Sequence, residues 1–265
     1  MLDSTGSLQA GRNLTRIAIV ADIHSNLPAL RAVIASAGAV DAWWCAGDTV
    51  GYGPCPNECV SMVRGLEPVS VVGNHDLGSV GAISLERFNP DARTANEWTG
   101  GVLERDHACY IRELPTTVVS PDGDVLLVHG SPRDPVWEYV LSREQAYRSF
   151  LKLDGRLCFH GHSHSPMLFE WALEAREAGD RDAIRFTVPS DGQEIVLRQG
   201  ARYLANAGSV GQPRDGDPRA CYVTYSPEDH ALTWHRVEYD IKAAQEMMEE
   251  AGLPVFLADR LALGR

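Results

Sequence analysis

Hydrophobic and polar positions along the first half of the chain predict strands that alternate with helices. A β-branched run at residues 16–21 is followed by apolar residues at helical spacing over residues 27–37. The pattern recurs downstream, with strands predicted at 42–46 and 69–72, a helix at 56–66 and helical sequence as far as residue 114. Such alternation is typical of a mostly parallel sheet with helices on its faces.

The second half of the chain predicts more strand than helix. A hairpin over residues 116–128 precedes a helix near 142–153 and a strand at 156–159. Further strands, separated by turn residues, are predicted at 168–172, 184–188, 194–198, 202–205, 221–225 and 232–237. This pattern is typical of a mixed or antiparallel sheet, and an amphipathic helix over residues 240–251 follows it.

No internal repeat or low-complexity linker separates the two halves. We therefore expect an α/β fold made of two sheets, in a single domain over residues 16–265. Residues 1–15 are polar and rich in Gly and Ser, and we expect them to form a flexible N-terminal extension.

The composition and the net charge exclude several classes of protein. Of 265 residues, 44% are hydrophobic and 23% are charged, which fits a globular protein and excludes disorder, collagen and coiled coil. The formal net charge of −12 repels a phosphate backbone, so we expect no stable binding to bulk nucleic acid or to a membrane surface. No signal pattern and no apolar run of membrane length occurs, which predicts a cytoplasmic protein. The six cysteines include no C-x-x-C pair, which predicts free thiols. The sequence does not indicate an oligomeric state.

Polar residues that can bind a metal follow five of the predicted strands. They occur in the segments Asp22-Ile23-His24, Gly47-Asp48, Gly73-Asn74-His75-Asp76, His129-Gly130 and Gly161-His162-Ser163-His164. Because ligands bind beyond the carboxyl ends of strands in open α/β sheets, we expect these segments to meet at one edge. Carboxylate and amide oxygens mixed with imidazole nitrogens suit Mn²⁺, Fe or Zn²⁺ and contain too much nitrogen for Ca²⁺. Each segment alone is explained equally well by a turn or a helix cap, but their joint occurrence predicts a metal centre.

The order of these motifs, D-x-H, G-D, G-N-H-D, H-G and G-H-S-H, resembles that of the calcineurin-like metallophosphoesterase superfamily. The segments 47–54, 129–134 and 208–215 resemble its small prokaryotic phosphodiesterase-like branch. The resemblance covers residues 17 to about 225. It implies a sandwich of two mixed sheets flanked by helices, which agrees with the strands predicted above.

The resemblance also implies a binuclear centre of two divalent metal ions, with manganese favoured and Fe, Zn, Ni or Co as alternatives. It assigns ligands to each metal: Asp22, His24 and His164 to one, Asn74, His129 and His162 to the other, and Asp48 as a bridge between them. His75 is then left as a catalytic group near the substrate phosphate. Asp76 either orients His75 as a second catalytic residue or caps the following helix.

The implied activity is hydrolysis of phosphodiesters by a metal-bound hydroxide, with His75 as general acid or charge stabiliser. Phosphoprotein phosphatases carry an Asp-Arg pair where Gly51-Tyr52-Gly53 stands here, so an arginine that clamps phosphate is missing from that segment. A phosphomonoesterase or protein phosphatase on the same centre is the alternative. The complete ligand set and His75 disfavour a non-catalytic scaffold, and the surplus of ligands disfavours a non-haem iron oxygenase.

Substrate contacts are expected from the loops next to these motifs. The residues that could stack on a base or hold a phosphate are Tyr52, Arg133, Trp137 and Arg214. For Trp137 the alternative is that the indole packs its own loop. We expect a small phosphoester or nucleotide-type substrate.

Overall fold

The computed structural model describes residues 15–265 of the chain. The predicted N-terminal extension therefore lies outside the described residues, except for Thr15. Twelve strands in this part of the chain form two sheets of six strands each. Among the described residues, no helix is both long enough and apolar enough to cross a membrane.

The strands are β1 Ile17–Val20, β2 Ala42–Cys45, β3 Val69–Ser70, β4 Thr117–Val119, β5 Val125–Val128, β6 Leu157–His160, β7 Met167–Ala172, β8 Arg185–Thr187, β9 Glu194–Val196, β10 Ala201–Asn206, β11 Ala220–Ser226 and β12 Ala231–Val237. The helices are α1 Leu27–Ala37, α2 Pro56–Gly65, α3 Asn74–Ser79, α4 Pro90–Val102, α5 Arg105–Glu113, α6 Arg143–Phe150, α7 Leu173–Glu177, α8 Ile241–Glu250 and α9 Val255–Asp259. Short 3₁₀ turns lie at Leu85–Arg87 and Arg260–Leu263.

Both sheets are mixed, and each contains three adjacent parallel strands. The first sheet has the order β3-β2-β1-β11-β12-β9, with β1, β2 and β3 parallel. The second has the order β4-β5-β6-β10-β7-β8, with β5, β6 and β10 parallel. All five motif segments follow parallel strands, three in the first sheet and two in the second. Their polar residues therefore emerge at one edge of the sandwich.

Strand β1 is buried on both of its faces. Ile17 and Ile19 belong to the core between the two sheets, whereas Ala18 and Val20 pack in the cluster that includes Leu30 of α1. A strand covered on both faces is a continuous hydrophobic run rather than an alternating one. This burial explains why the sequence of β1 predicts a strand by its β-branched residues and not by alternation.

Large aromatic side chains fill the space between the sheets. The rings of Trp44 and Phe159, one from each sheet, meet edge to face with centroids 5.9 Å apart. Trp234 Nε1 donates a hydrogen bond of 3.0 Å to the carbonyl of Asn206 in the opposite sheet. Each such side chain contributes about 1.5–3 kcal/mol through burial, so the sandwich provides a rigid base for the loops at its edge.

The predicted two-sheet α/β sandwich is confirmed, with one difference in the first sheet. Strands β1 to β3 are parallel as predicted, but β11, β12 and β9 complete the same sheet in antiparallel pairing. Strand β11 pairs with β1 although the two are distant in sequence, and local periodicity cannot predict such a pairing. Helices α7 and α9 were not predicted, since each is only five residues long. All six cysteines are free, as expected. The single domain over residues 16–265 stays a prediction.

Candidate metal centre

The loops that follow β1, β2, β3, β5 and β6 bring seven polar side chains together at one edge of the sandwich. All seven are buried: Asp22, His24, Asp48, Asn74, His129, His162 and His164. Buried polar groups normally have hydrogen-bond partners, because the desolvation of an unpaired group is unfavourable. The contacts within this set therefore decide what it can bind.

Three of these side chains form a first group that could hold a cation. Asp22 Oδ1 lies 3.7 Å from His24 Nε2 and 3.3 Å from His164 Nε2. The two histidine Nε2 atoms are 3.1 Å apart.

A second group lies beside the first and is centred on His129. The Nε2 atom of His129 is 3.2 Å from Asp48 Oδ2, 3.1 Å from His162 Nδ1 and 3.1 Å from Asn74 Oδ1. The oxygen Asp48 Oδ2 also lies 3.7 Å from His24 Nε2 of the first group. One carboxylate oxygen therefore faces both groups.

Backbone carbonyls fix which nitrogen of each histidine faces the centre. Each of the four rings directs its other nitrogen at a carbonyl oxygen: His24 Nδ1 at Val50 (3.2 Å), His129 Nδ1 at Ala46 (2.8 Å), His164 Nδ1 at Gln212 (2.6 Å) and His162 Nε2 at Trp137 (3.1 Å). A carbonyl oxygen can only accept, so the nitrogen that faces it carries the proton. In the neutral ring, the nitrogen that faces the centre then has a free lone pair, as a metal ligand requires.

The two carboxylates each direct one oxygen at the centre that no hydrogen bond satisfies. Asp22 Oδ1 is buried without a hydrogen-bond partner, and buried Asp48 Oδ2 lies 3.2 Å from His129 Nε2 as an ion-pair contact that does not have the geometry of a hydrogen bond. Their other oxygens are satisfied, since Asp22 Oδ2 accepts from the amide of His162 at 2.9 Å and Asp48 Oδ1 accepts from the amide of His75 at 2.8 Å. A buried acceptor without a partner costs about 1–3 kcal/mol, and a cation removes that cost. The donor set therefore fits two divalent cations.

Burial shifts the pKa values of these groups strongly. It raises the pKa of Asp22 to about 8, lowers that of His162 to about 2, and holds those of His24 and His164 well below their usual value. Neutral imidazole is the form that binds a metal, and a bound cation would restore the charge of the carboxylate.

Asp48 and His129 form a buried ion pair that opposes this trend. Burial alone would raise the pKa of Asp48 and lower that of His129. Their mutual attraction outweighs burial, so the pKa of Asp48 falls well below its usual value and that of His129 rises to about 9.

The backbone of these loops adopts conformations that favour glycine. Five of the seven side chains come from residues with positive φ: Asp22 at 53°, His24 at 49°, Asp48 at 55°, His162 at 66° and His164 at 57°. Each such residue costs on the order of 1 kcal/mol or more, and strain of this kind clusters at functional sites. Hydrogen bonds between loops hold it in place, such as that from the His24 amide to the Asp48 carbonyl at 3.0 Å.

His75 lies beside the two groups and belongs to neither of them. Its ring centroid is 4.2 Å from that of Tyr52 and 4.9 Å from that of His24. It is the second residue of α3, directly after Asn74. Burial lowers its pKa to about 4. The ring is thus next to the centre without being one of the converging ligands.

Asp76 holds the loops around Asp48 and does not contact His75 through a hydrogen bond. Its carboxylate accepts from three backbone amides, those of Asp48 at 2.8 Å, Val50 at 3.0 Å and Gly73 at 3.0 Å. The contact with Gly73 caps the start of α3. These contacts support a positioning role, and the catalytic role of Asp76 stays a prediction.

Two of the predicted substrate-binding residues lie next to the centre. The Tyr52 ring packs against those of His24 and His75, and the guanidinium carbon of Arg214 lies 5.5 Å from the Tyr52 centroid. Arg214 donates to Gln212 Oε1 at 2.8 Å, and its Nε atom is buried without a partner. Within residues 15–265, Arg214 makes no ion pair with a carboxylate, so its charge is available to an anion.

The other two predicted residues are engaged elsewhere. Arg133 forms an ion pair with Glu138 at 3.0 Å, which neutralises its charge. The Trp137 ring packs against Phe88 with centroids 5.1 Å apart and under the guanidinium of Arg87 at 4.1 Å. The structure therefore favours a loop-packing role for the Trp137 indole.

Two further residues lie next to the site and are not among the four substrate-binding candidates named from the sequence. Tyr139 stacks on the His162 ring at 3.9 Å and is 41% exposed. Asn96 contacts His75 through its side-chain amide at 2.9 Å. Neither belongs to a motif, and Asn96 lies on α4, so no pattern near the five motif segments could have indicated it.

Glycine at position 73 leaves room for the Asp48 carboxylate. A Cβ atom there would lie 2.6 Å from the Asp48 amide nitrogen and 2.7 Å from its carboxyl carbon. We expect Gly73→Ala to displace Asp48, to destabilise the fold by about 1–3 kcal/mol, and to weaken binding of added Mn²⁺ by roughly 10-fold or more. Thermal unfolding and a metal titration measure the two effects. Gly65→Ala is the matched control, because nothing lies within 4 Å of a Cβ at that position. Unchanged metal binding in Gly73→Ala would contradict the placement of Asp48.

Comparisons with known proteins cover nearly the whole described chain. Residues 15–230 match the calcineurin-like phosphoesterase superfamily domain. An uncharacterised protein of Methanocaldococcus jannaschii is 39% identical over 255 residues, which span 94% of this chain and 98% of that protein. The crystal structure of a metallophosphoesterase from Sphaerobacter thermophilus has a TM-score of 0.84 at 45% identity and covers 96% of this chain and 100% of its own. A hypothetical protein from Pyrococcus horikoshii OT3 has a TM-score of 0.72 at 18% identity, covers 94% of this chain and 98% of its own, and shares the fold.

Proposed function

The chain belongs to the calcineurin-like phosphoesterase superfamily, which hydrolyses phosphoesters with the help of metal ions, and we propose that this member acts on phosphodiesters. One observation carries the proposal: four imidazole nitrogens and two carboxylate oxygens form two adjoining buried groups, each of which could hold a metal ion. We propose as ligands the residues Asp22, His24 and His164 for one cation, Asn74, His129 and His162 for the other, and Asp48 for both. Mn²⁺ is the favoured metal.

The charge of this ligand set suits an anionic substrate. Asp22 and Asp48 are its two carboxylates, and the remaining ligands are neutral imidazole or amide groups. With two divalent cations and one hydroxide, a net charge of about +1 remains to attract a phosphate group. A centre richer in carboxylates would lose that attraction.

Bound divalent cations would lower the pKa of the attacking water and polarise the phosphoryl oxygens. The protein contributes the arrangement around them. Asp48 Oδ2 faces both groups of ligands and so sets the position of one relative to the other. His75, beside the centre, either donates a proton to the leaving group or stabilises the developing charge.

The positively charged side chains near the site suit a diester, which has a single negative charge. Arg214 is the arginine whose free charge lies beside the ligands, whereas Arg133 is paired with Glu138. A monoester dianion gains most from several cationic contacts, while a diester monoanion needs fewer. We therefore expect hydrolysis of diesters to match or exceed that of monoesters.

The experiment begins with metal analysis of the purified protein and continues with a panel of phosphoesters in saturating Mn²⁺. The deciding quantity is the ratio of kcat/KM for bis-p-nitrophenyl phosphate to that for p-nitrophenyl phosphate. We expect a ratio of at least about one, since a single guanidinium leaves part of the charge of a monoester dianion without a cationic partner, whereas a diester monoanion has only one charge to pair. A panel without any hydrolysis, in protein that holds about two metals per chain, would reject the enzymatic proposal.

Arginine variants distinguish the diester proposal from its alternative. A phosphomonoesterase is the alternative if the guanidinium of Arg214 contacts the second negative charge of a monoester, since this side chain lies beside the site. We expect Arg214→Ala to lower kcat/KM for both esters by about 10-fold, and Arg133→Ala to change neither by much. A strong monoester preference in the native protein that disappears in Arg214→Ala would establish the monoesterase and overturn the diester proposal.

A further inference from the structure

A buried amide on α4 contacts the imidazole of His75. The Nδ2 atom of Asn96 lies 2.9 Å from the Nδ1 atom of His75. Asn96 is 1% exposed, so water does not compete for this contact. The side chain therefore acts directly on a group that the proposed function places in the reaction.

Two further hydrogen bonds set the orientation of the Asn96 amide. Nδ2 donates to the backbone carbonyl of Ala92 at 2.8 Å, and Oδ1 accepts from the hydroxyl of Ser79 at 2.9 Å. In the reverse orientation, the side-chain oxygen would face the carbonyl of Ala92, and two acceptors would repel each other. The NH₂ group of Asn96 must therefore face His75.

The direction of this hydrogen bond determines which nitrogen of the His75 ring carries the proton. An amide NH₂ group only donates, so Nδ1 of His75 has to accept with its lone pair. A neutral imidazole then carries its proton on Nε2. Protonation of Nδ1 would set two donors against each other and break the hydrogen bond. Among residues 15–265, the ring of His75 forms its side-chain hydrogen bond through Nδ1, and the N–H on Nε2 is left for a substrate.

Packing keeps the ring in this orientation. The rings of Tyr52, His24 and Phe88 lie around it with centroid distances of 4.2, 4.9 and 5.0 Å. A Cβ atom on Gly51 would lie 2.7 Å from Nδ1, which shows how closely the backbone approaches that side of the ring. Rotation of the imidazole would require these neighbours to move.

We propose that Asn96 is a positioning residue that holds His75 as the neutral tautomer with its proton on Nε2. His75 then acts on the phosphoryl group as a hydrogen-bond donor, and no bond to hydrogen breaks at this residue. Such a donor stabilises developing negative charge without proton transfer. The proposal rests on the proposed function and deepens it, because it selects charge stabilisation over general-acid catalysis for His75.

The tautomer is measured directly by long-range proton–nitrogen NMR on protein with isotope-labelled histidine. Zn²⁺ is added as a diamagnetic metal, and the His75 signals are identified by their loss in His75→Asn. We expect Nδ1 to show the shift of an unprotonated nitrogen and Nε2 that of a protonated one. Asn96→Asp should move the proton to Nδ1, because a carboxylate accepts where the amide donates. A protonated Nδ1 in the native protein would overturn the proposal.

Kinetics then separate positioning from simple packing. We expect Asn96→Ala to lower kcat for bis-p-nitrophenyl phosphate by about 10–100-fold, with KM and metal content unchanged. Thr99→Ala is the matched control, because Thr99 is also buried on α4 and its hydroxyl has no partner. Equal losses of kcat in the two variants would assign Asn96 a structural role and overturn the proposal. If the native protein hydrolyses no phosphoester, the proposed function fails, while the NMR result still decides the tautomer.

Discussion

Replacing Asp48 by asparagine should remove most of the bound metal and nearly all hydrolysis. Asp48 Oδ2 faces both groups of ligands, at 3.2 Å from His129 Nε2 and 3.7 Å from His24 Nε2. The substitution removes one negative charge from two sites at once and keeps the size of the side chain. We expect turnover to fall by more than the roughly 10–100-fold that is typical for loss of a residue outside the ligand set. Metal content after dialysis and kcat for bis-p-nitrophenyl phosphate measure the effect.

His164→Ala provides the comparison for Asp48→Asn. His164 contacts only the first group among the described ligands, through Asp22 and His24. We therefore expect the substitution to weaken the binding of one metal ion and to leave about one metal ion per chain. If Asp48→Asn retains about two metals per chain and continues to hydrolyse the ester, the assignment of Asp48 as a bridge is wrong.

His75→Ala should leave the fold and the metal content intact and lower turnover by roughly 10²–10⁴. The ring lies beside the centre but outside both ligand groups. In the tautomer proposed above, its Nε2–H faces the substrate. Its loss therefore removes an interaction with the reacting phosphoryl group and not a ligand. The measurement is kcat with saturating Mn²⁺ on an ester with a poor leaving group, together with metal content.

The matched control for His75→Ala is His107→Ala. His107 is also a buried histidine, but it is hydrogen-bonded to Ser61 at 3.1 Å and Asn57 at 3.1 Å on α2, away from the centre. We expect this variant to keep its turnover. A near-normal rate in His75→Ala would exclude His75 from the mechanism, and the proposal for Asn96 would lose its kinetic basis.

The residue types of the site could be predicted because each lies within a few residues of a strand end. Asp22, Asp48 and His129 lie two, three and one residues after the ends of β1, β2 and β5, where the burial of the strand makes the local pattern strong. The structure brings these residues together, and their roles as ligands stay predictions. The loop conformations could not be predicted, because positive φ at residues such as His162 is stabilised by contacts with loops that are distant in sequence.

Local sequence patterns could not identify which of the candidate arginines has a free charge. Arg133 and Arg214 each follow a motif and are equivalent in the sequence. In the structure Arg133 is paired with Glu138, while Arg214 lies over Tyr52. The distinction depends on which charges surround each guanidinium in the folded chain, and no spacing rule contains that information.

The sequence by itself determined the two-sheet α/β class and the presence of a metal centre. Both depend on local features, namely buried β-branched runs and polar residues at their carboxyl ends. Only the tertiary structure decided which nitrogen of each histidine faces the centre and which group contacts His75. The partners that make those decisions, such as the Gln212 carbonyl for His164 and the Asn96 amide for His75, are distant in sequence. A hydrogen-bond partner determines which nitrogen of a histidine is protonated only when the two atoms are in contact. The tautomers of these histidines are therefore not fixed until the chain has folded.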